Sequence, residues 1–537
     1  MSASIRSLPP YLRRRSLLTG GLALSTVVAV PFSPSNAADP RPSGTLVVGT
    51  SLEPRRLNIN YDPDNAAQYL NLNIYSKLLA FDIVGNTLYP ELAESWDVAP
   101  NLSTYTFHLR RGVTWHDGKP FTAADVKWSI EDVLRQGTKA VTYRLAADID
   151  HVDTPDDFTA VIVLKKPNGI MLENLASYYG LNILPRHVFE GTDPHTSDLT
   201  LRPVGTGPFR FVEHVPGSHL LMEANRSYFG DGPHLERLVF QFIPSLPTAM
   251  LALQAGEIGY ATASPPFADV ARLQALPGIK VESSPSPIVM WFGFNLDRPL
   301  WQDVRVRRAI AHAVNRDEIV DRLYRGLVKP ADGYFTSAVA WANDPQSRQP
   351  AFDPAAAERL LDEAGHRRGP DGVRLKIRFV AFPTNIWGSV EQAQMVQQQL
   401  SRVGIAVEVQ SVEFALRNQI IRGARDFDLV HSGGMRGPDP SELRYFVGSN
   451  GNYNTMNYRN PKIDTLLDEA EATADRAQRK ARYFEVQALL AQDVPMVNLI
   501  EYAYLRPHRA NYAGFFWQPE AAGKISDSMY NLVHQAS

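Results

Sequence analysis

Few side chains in this sequence have the chemistry to hold a ligand, and the clearest of them fall late in the chain. Arg436 stands in the segment FDLVHSGGMRGPDP at 427–440, with Asp439 three residues on. A guanidinium is a planar fork of donors that matches a carboxylate, a phosphate or sugar hydroxyls. The competing role for such a residue is a surface ion pair. The rings of Phe414, Trp387, Trp291 and Tyr445 offer faces that suit sugars and apolar side chains alike, against plain core packing as the commoner role of any one such ring. The amide-rich run NGNYNTMNY at 450–458 fits a polar ligand or a turn-rich loop.

Enzyme chemistry finds little support. There is no G-x-S-x-G, no H-E-x-x-H and no Cys/His zinc pattern. The chain has no cysteine, which excludes a thiolate nucleophile, a thiolate metal site, a disulfide and a lipid-modified cysteine. Residues 112–119 imitate a phosphate loop, but five residues separate Gly112 from Gly118 where four are needed, and Pro120 stands in the Ser/Thr place. His116 and Asp117 are adjacent, so in extended chain they point to opposite faces. The 13 histidines are scattered without metal-ligand spacing. A binding protein without cofactor is expected, not an enzyme.

The elements that must carry these residues follow from periodicity. Tyr105, Phe107 and Leu109 alternate with polar residues, as in a half-buried strand, and Val113 and Trp115 resume the alternation, which predicts a strand pair. Thr122 with Asp125 has capping-box spacing ahead of Val126, Ile130, Val133 and Leu134. Residues 69–79 carry a helical pattern. The run VMWFGFNL at 289–296 suits a strand buried on both faces. Two helices are predicted within 303–325, with Asn315 and Glu318 as a second capping box. Residues 375–381, 390–403 and 405–411 read strand, helix, strand, a βαβ unit that implies a parallel sheet. A strand is expected at 427–430, a loop at 433–440, two helices across 463–492 and a strand at 496–500.

At 537 residues the chain exceeds a single ordinary core. A net charge of −3 argues against a nucleic-acid or anionic-membrane binder. The first 37 residues read as an export signal: Arg13-Arg14-Arg15 precede an apolar run shorter than a membrane span, and Ser35-Asn36-Ala37 is a small-x-small cleavage site. The Arg-Arg-Ser-Leu-Leu spacing favours the twin-arginine route, and a basic start serves general secretion as well.

Several pieces then occur together: LAESW at 92–96, TYTFHLR at 104–110, VTWHDG at 113–118, PFTAADV at 120–126, PVGTGPF at 203–209 and DVRVRRA at 303–309. In order and spacing this closely resembles the family 5 extracytoplasmic solute-binding proteins, the oligopeptide-, dipeptide- and nickel-type receptors of ABC importers. The resemblance implies an α/β, two-lobed periplasmic binding protein fold (type II, cluster C-like) with an extra domain inserted in the first lobe. It would place lobe 1 at 38–79, 204–288 and 500–537, the inserted domain at 80–203 and lobe 2 at 289–499. It implies a monomer in the periplasm that delivers a small molecule or short peptide to an inner-membrane ABC permease. Phe414 matches a position where a ring often lines the cleft. Residues 433–440 match a segment that is usually G-W-x-x-D-Y-P-D-P, whose first aspartate pairs with a peptide's α-ammonium. Here that aspartate is missing, the loop reads about one residue shorter, and Arg436 or Gly437 occupies the region. Asp439 matches the second, largely structural aspartate. An arginine in that place modestly favours a non-peptide cargo (a sugar, an opine or an acidic compound) over a peptide. A periplasmic sensory receptor and an exported hydrolase are the alternatives from other classes.

Overall fold

Two long strands organise the molecule. Ile279–Phe294 and Met496–Arg509 run antiparallel through both lobes of a computed structural model. The structure describes residues 43–536 except 59, 62–69, 83–86, 138–139, 141, 178–179, 384–387, 438 and 519–528. The export segment and Trp387 lie outside the described residues.

The long strands join two half-sheets. On one side stand Leu429–Met435, Leu375–Ala381 and Ile405–Ser411, the last two parallel as a βαβ unit. On the other side stand Tyr260–Ala261, Thr45–Thr50, Arg237–Phe242, His219–Ala224 and Phe209–Val215. Each half has its own cores. In lobe 2, Phe292, Phe294, Ile310, Ile319 and Leu400 pack on one sheet face, and Trp291, Phe446, Leu467 and Tyr483 on the other. In lobe 1, Leu46, Val48, Leu238 and Phe240 share a core with the inserted four-stranded sheet.

Between Pro285 and Val289 the register of the two long strands shifts. Pro285 and Pro287 carry no N–H to give to the ladder. Ser286 fills part of the gap, its hydroxyl donating to Tyr502 O at 2.7 Å. The pair of strands is therefore continuous in direction but weakly laced at the crossing between the lobes, the place where a hinge would bend.

Locally the sequence rules hold. Thr122 and Asp125 form the capping box of helix Ala123–Gln136, whose buried face is Val126, Ile130 and Val133. Each such burial is worth about 1.5–3 kcal/mol. Asn315 accepts from the Glu318 N–H at the start of Arg316–Tyr324. Four expectations are corrected. Thr104–Leu109 pairs with Ala93–Val98 and Thr159–Leu164, and residues 113–121 form a turn-rich loop around buried Trp115 instead of a partner strand. The described part of 69–79 is one short helical turn, followed by turns and by strand Leu79–Asp82. Both long strands extend far beyond their predicted apolar cores. Residues 433–435 belong to a strand: a Cβ on Gly434 would meet the Phe446 ring at 2.3 Å and one on Gly433 the Met290 Sδ at 2.6 Å, so the two glycines permit close packing on both faces.

Candidate functional site

Strand direction locates the site. In lobe 2, Leu429–Met435 runs antiparallel to the first long strand and so ends beside Ile288 at the hinge. Leu375–Ala381 is parallel to it. In lobe 1, Thr45–Thr50 is parallel to Tyr260–Ala261, which is antiparallel to the second long strand as that strand leaves the hinge. The carboxyl ends of the parallel strands of both lobes therefore face the gap between them. That crevice is where open α/β sheets bind ligands.

From lobe 1 the gap receives residues 51–55 after the first strand, with Leu52 exposed. From lobe 2 it receives the segments after 381 and 411. Phe382 is buried there, while Phe414 and Leu416 remain 56% and 47% exposed. The two rings meet edge to face at 5.4 Å. Beneath them lies Arg417, on helix Phe414–Arg422, its guanidinium carbon 5.0 Å from the Phe382 ring centre and 5.8 Å from that of Phe414. Arg417 is 5% exposed. Its Nη2 donates to His431 O at 2.9 Å and its Nη1 to Asn418 Oδ1 at 3.2 Å. Its Nε is buried with no partner, and no ion pair among the described residues includes it. Burial pulls its pKa down to about 10, with Arg422 adding to the shift.

His431 lies next to this arginine. It is fully buried, and its ring Nε2 sits 3.1 Å from Gln392 Oε1. Gln392 in turn donates to the Tyr324 hydroxyl at 2.5 Å. Burial, and secondarily Arg417, holds His431 down at about 3, so it is neutral at physiological pH. Phe267 of lobe 1 packs edge-on against Tyr324 at 4.8 Å, linking this row to the other lobe.

The residues singled out from sequence fall in different places. Arg436 is fully buried and points into lobe 2, where Nη1 donates to Tyr334 O at 2.9 Å and Nη2 to Asn498 Oδ1 at 3.0 Å. It is neither exposed nor in an ion pair among the described residues, which corrects the surface-pair reading; its two Nη groups are bonded within the protein, while its Nε is buried without a partner. Burial lowers its pKa to about 9. Trp291 is wholly buried and meets Phe446 edge to face, so it is core. Tyr445 is partly buried at the rim of that core, near Tyr453. Asp439 accepts two bonds from Arg479, at 2.6 and 2.7 Å, and caps the turn Pro440–Leu443. Phe414 alone of the described aromatic candidates keeps its ring largely exposed. Sequence reading passed over Arg417, Phe382 and His431. One signal was available: Arg417 shares a helical face with Phe414 and Ile421, a charge set inside an apolar stripe.

Known proteins agree with this architecture. The family model for bacterial extracellular solute-binding proteins, family 5 (middle), matches residues 87–455, and the chain belongs to that family. An ABC transporter peptide-binding protein of Brucella ovis is 31% identical over 521 residues, covering 93% of this chain and 96% of its own. The structure of DppA from Helicobacter pylori in complex with the peptide STSA superposes with a TM-score of 0.76 at 25% identity, over 92% of this chain and 98% of that one. AgaA from A. tumefaciens in complex with agropinic acid gives 0.74 at 25% identity, over 92% and 99%. The chain is thus the substrate-binding component of an ABC transporter, a two-lobed receptor that works with a membrane permease. Among the described residues no helix is long and apolar enough to cross a membrane.

Proposed function

We propose that this receptor works in the periplasm and captures a solute bearing an anionic group, which docks on Arg417 between Phe382 and Phe414. One observation carries the reading: a guanidinium at the gap-facing end of lobe 2 that is nearly buried, lacks an acidic partner and keeps an unused Nε. Leaving such a charge uncompensated is costly in a folded protein, and a bound carboxylate removes the cost. The aspartate that pairs with a peptide's ammonium in the family pattern is absent from 433–440, which supports the same direction. Rings above the arginine suit an acidic solute with an apolar or sugar-like body. The agropinic acid complex of a structural neighbour fits this cargo class.

A second reading is a peptide held by its carboxylate end. It is favoured by the peptide-binding relative from Brucella and by the DppA complex. Native mass spectrometry of protein taken gently from its own periplasm separates the two. One discrete acidic adduct is the expected result, and a spread of peptide masses would establish the second reading. In either case Arg417→Gln should weaken binding of that adduct by about 1.5–3 kcal/mol, the worth of a charge-assisted hydrogen bond. Undiminished binding would remove Arg417 from the site.

A further inference from the structure

The inserted domain touches lobe 2 at a point away from the gap-facing rings. The Gly169 N–H donates to Glu471 O at 2.7 Å. A Cβ on Gly169 would stand 2.3 Å from the Thr473 carbonyl carbon, so a side chain there forces the two surfaces apart. Beside this contact, Glu173 on helix Met171–Ala176 lies 3.5 Å from Arg479 Nη1, while Arg479 Nη2 holds both oxygens of Asp439. Side-chain exposure is 4% for Arg479, 13% for Asp439 and 23% for Glu173. Two carboxylates from different domains thus share one buried cation.

One guanidinium cannot neutralise both carboxylates. Arg479 stays charged: burial opposes its charge, but Asp439 and Glu173 together hold its pKa above the ordinary value. Burial first and Asp439 second raise Glu173 to about 7, against the opposing pull of Arg479 and Arg476. Arg476 is a second cation within electrostatic reach of Glu173. Glu471 is held by Arg444, itself shared with Asp468. Tyr483 stacks near Arg479 and lies within electrostatic reach of Asp439, and Tyr105 senses Glu173 from the inserted domain. The other elements packed on the Glu173 helix, Leu79–Asp82, Thr87–Pro90 and Tyr143–Ala146, bring Tyr89 and Tyr143 among the described side chains.

We propose that Glu173, Arg479 and Asp439 form a proton-linked latch: closing the inserted domain onto lobe 2 buries Glu173 beside Asp439 and takes up one proton from solvent, so acid favours the closed receptor and rising pH loosens it. The proposal rests on lobe closure about the 285–289 hinge and is independent of which solute is bound. When open, Glu173 faces water and titrates near the ordinary 4.5; when latched, its value is raised. The latch is then fully made below the ordinary value and is lost as pH climbs through the raised one. Linkage sets the closed-to-open ratio at about tenfold higher at pH 6 than at pH 8.

The absence of native cysteine allows a direct test. Spin labels on Asp157→Cys and Lys480→Cys, both exposed, report the distance between the inserted domain and lobe 2 with no solute added. Between pH 6 and pH 8 the short-distance population should fall about tenfold relative to the long one. Glu173→Gln, an uncharged isostere, should keep the short population at both pH values. Gly169→Ala should shift it to the long distance at both. A distribution indifferent to pH, or an equal pH response in Glu173→Gln, would overturn the latch. An unmoved distribution in Gly169→Ala would overturn the assignment of this contact to closure. Because no cargo enters the measurement, its failure leaves the Arg417 reading standing, and the converse holds.

Discussion

Arg479 and Arg417 are both nearly buried in lobe 2, yet they are furnished in opposite ways. Arg479 has two carboxylates within 3.5 Å and reaches across to another domain. Arg417 has a backbone carbonyl, an amide oxygen, two rings and no acid. In the first arrangement the cation is compensated from within the protein. The second is incomplete, and it lies where the carboxyl ends of the parallel strands open on the gap. A buried charge that the protein has compensated holds the structure together, whereas one left without an acid beside the gap is placed to receive a ligand's charge.

The largest effect should come from breaking the compensated set. Arg479→Met strands Asp439 and should cost about 3–5 kcal/mol of unfolding free energy in urea melts. A loss near zero would erase the contrast. At Arg417 the cost should appear in binding and not in folding: Arg417→Gln is expected to keep the denaturation midpoint of the ligand-free protein while its affinity falls roughly tenfold to a hundredfold. A large drop in unliganded stability would make Arg417 structural. The smallest effect tests burial itself. Arg482 lies on the same helix as Arg479 and pairs with Glu469 and Glu485, but is 42% exposed. Arg482→Ala should change stability by less than about 0.5 kcal/mol, because water already screens that pair.

Much of the fold was readable without coordinates because it is governed by local rules. The capping box at Thr122, the paired helices after Asp303 and the βαβ unit at 375–411 depend on residues close in sequence, and each forms where the pattern puts it. The long strands were harder. The stretch Ser283-Ser284-Pro285-Ser286-Pro287 is polar and proline-rich, which conceals a strand that continues through it. Its partner comes from more than two hundred residues away, and that pairing overrides the local signal. Gly433 and Gly434 misled in the same way: they look like loop residues, but two rows of side chains pressing from opposite faces require them in a strand.

By itself the sequence determined the family, the alternation of strands and helices and the lack of thiol chemistry. Those follow from residue types and short spacings. Only the tertiary structure decided which arginine matters. Arg436 and Arg417 are equivalent cations on paper, and what separates them is where the fold puts them. Tyr334 and Asn498, 102 and 62 residues away, close around Arg436 inside lobe 2, whereas Arg417 lies beneath the Phe382 and Phe414 rings on the helix that follows Ile405–Ser411. The contact between Glu173 and Arg479 spans 306 residues. No periodicity records such a meeting, because it is set by how two domains close and not by any pattern within either.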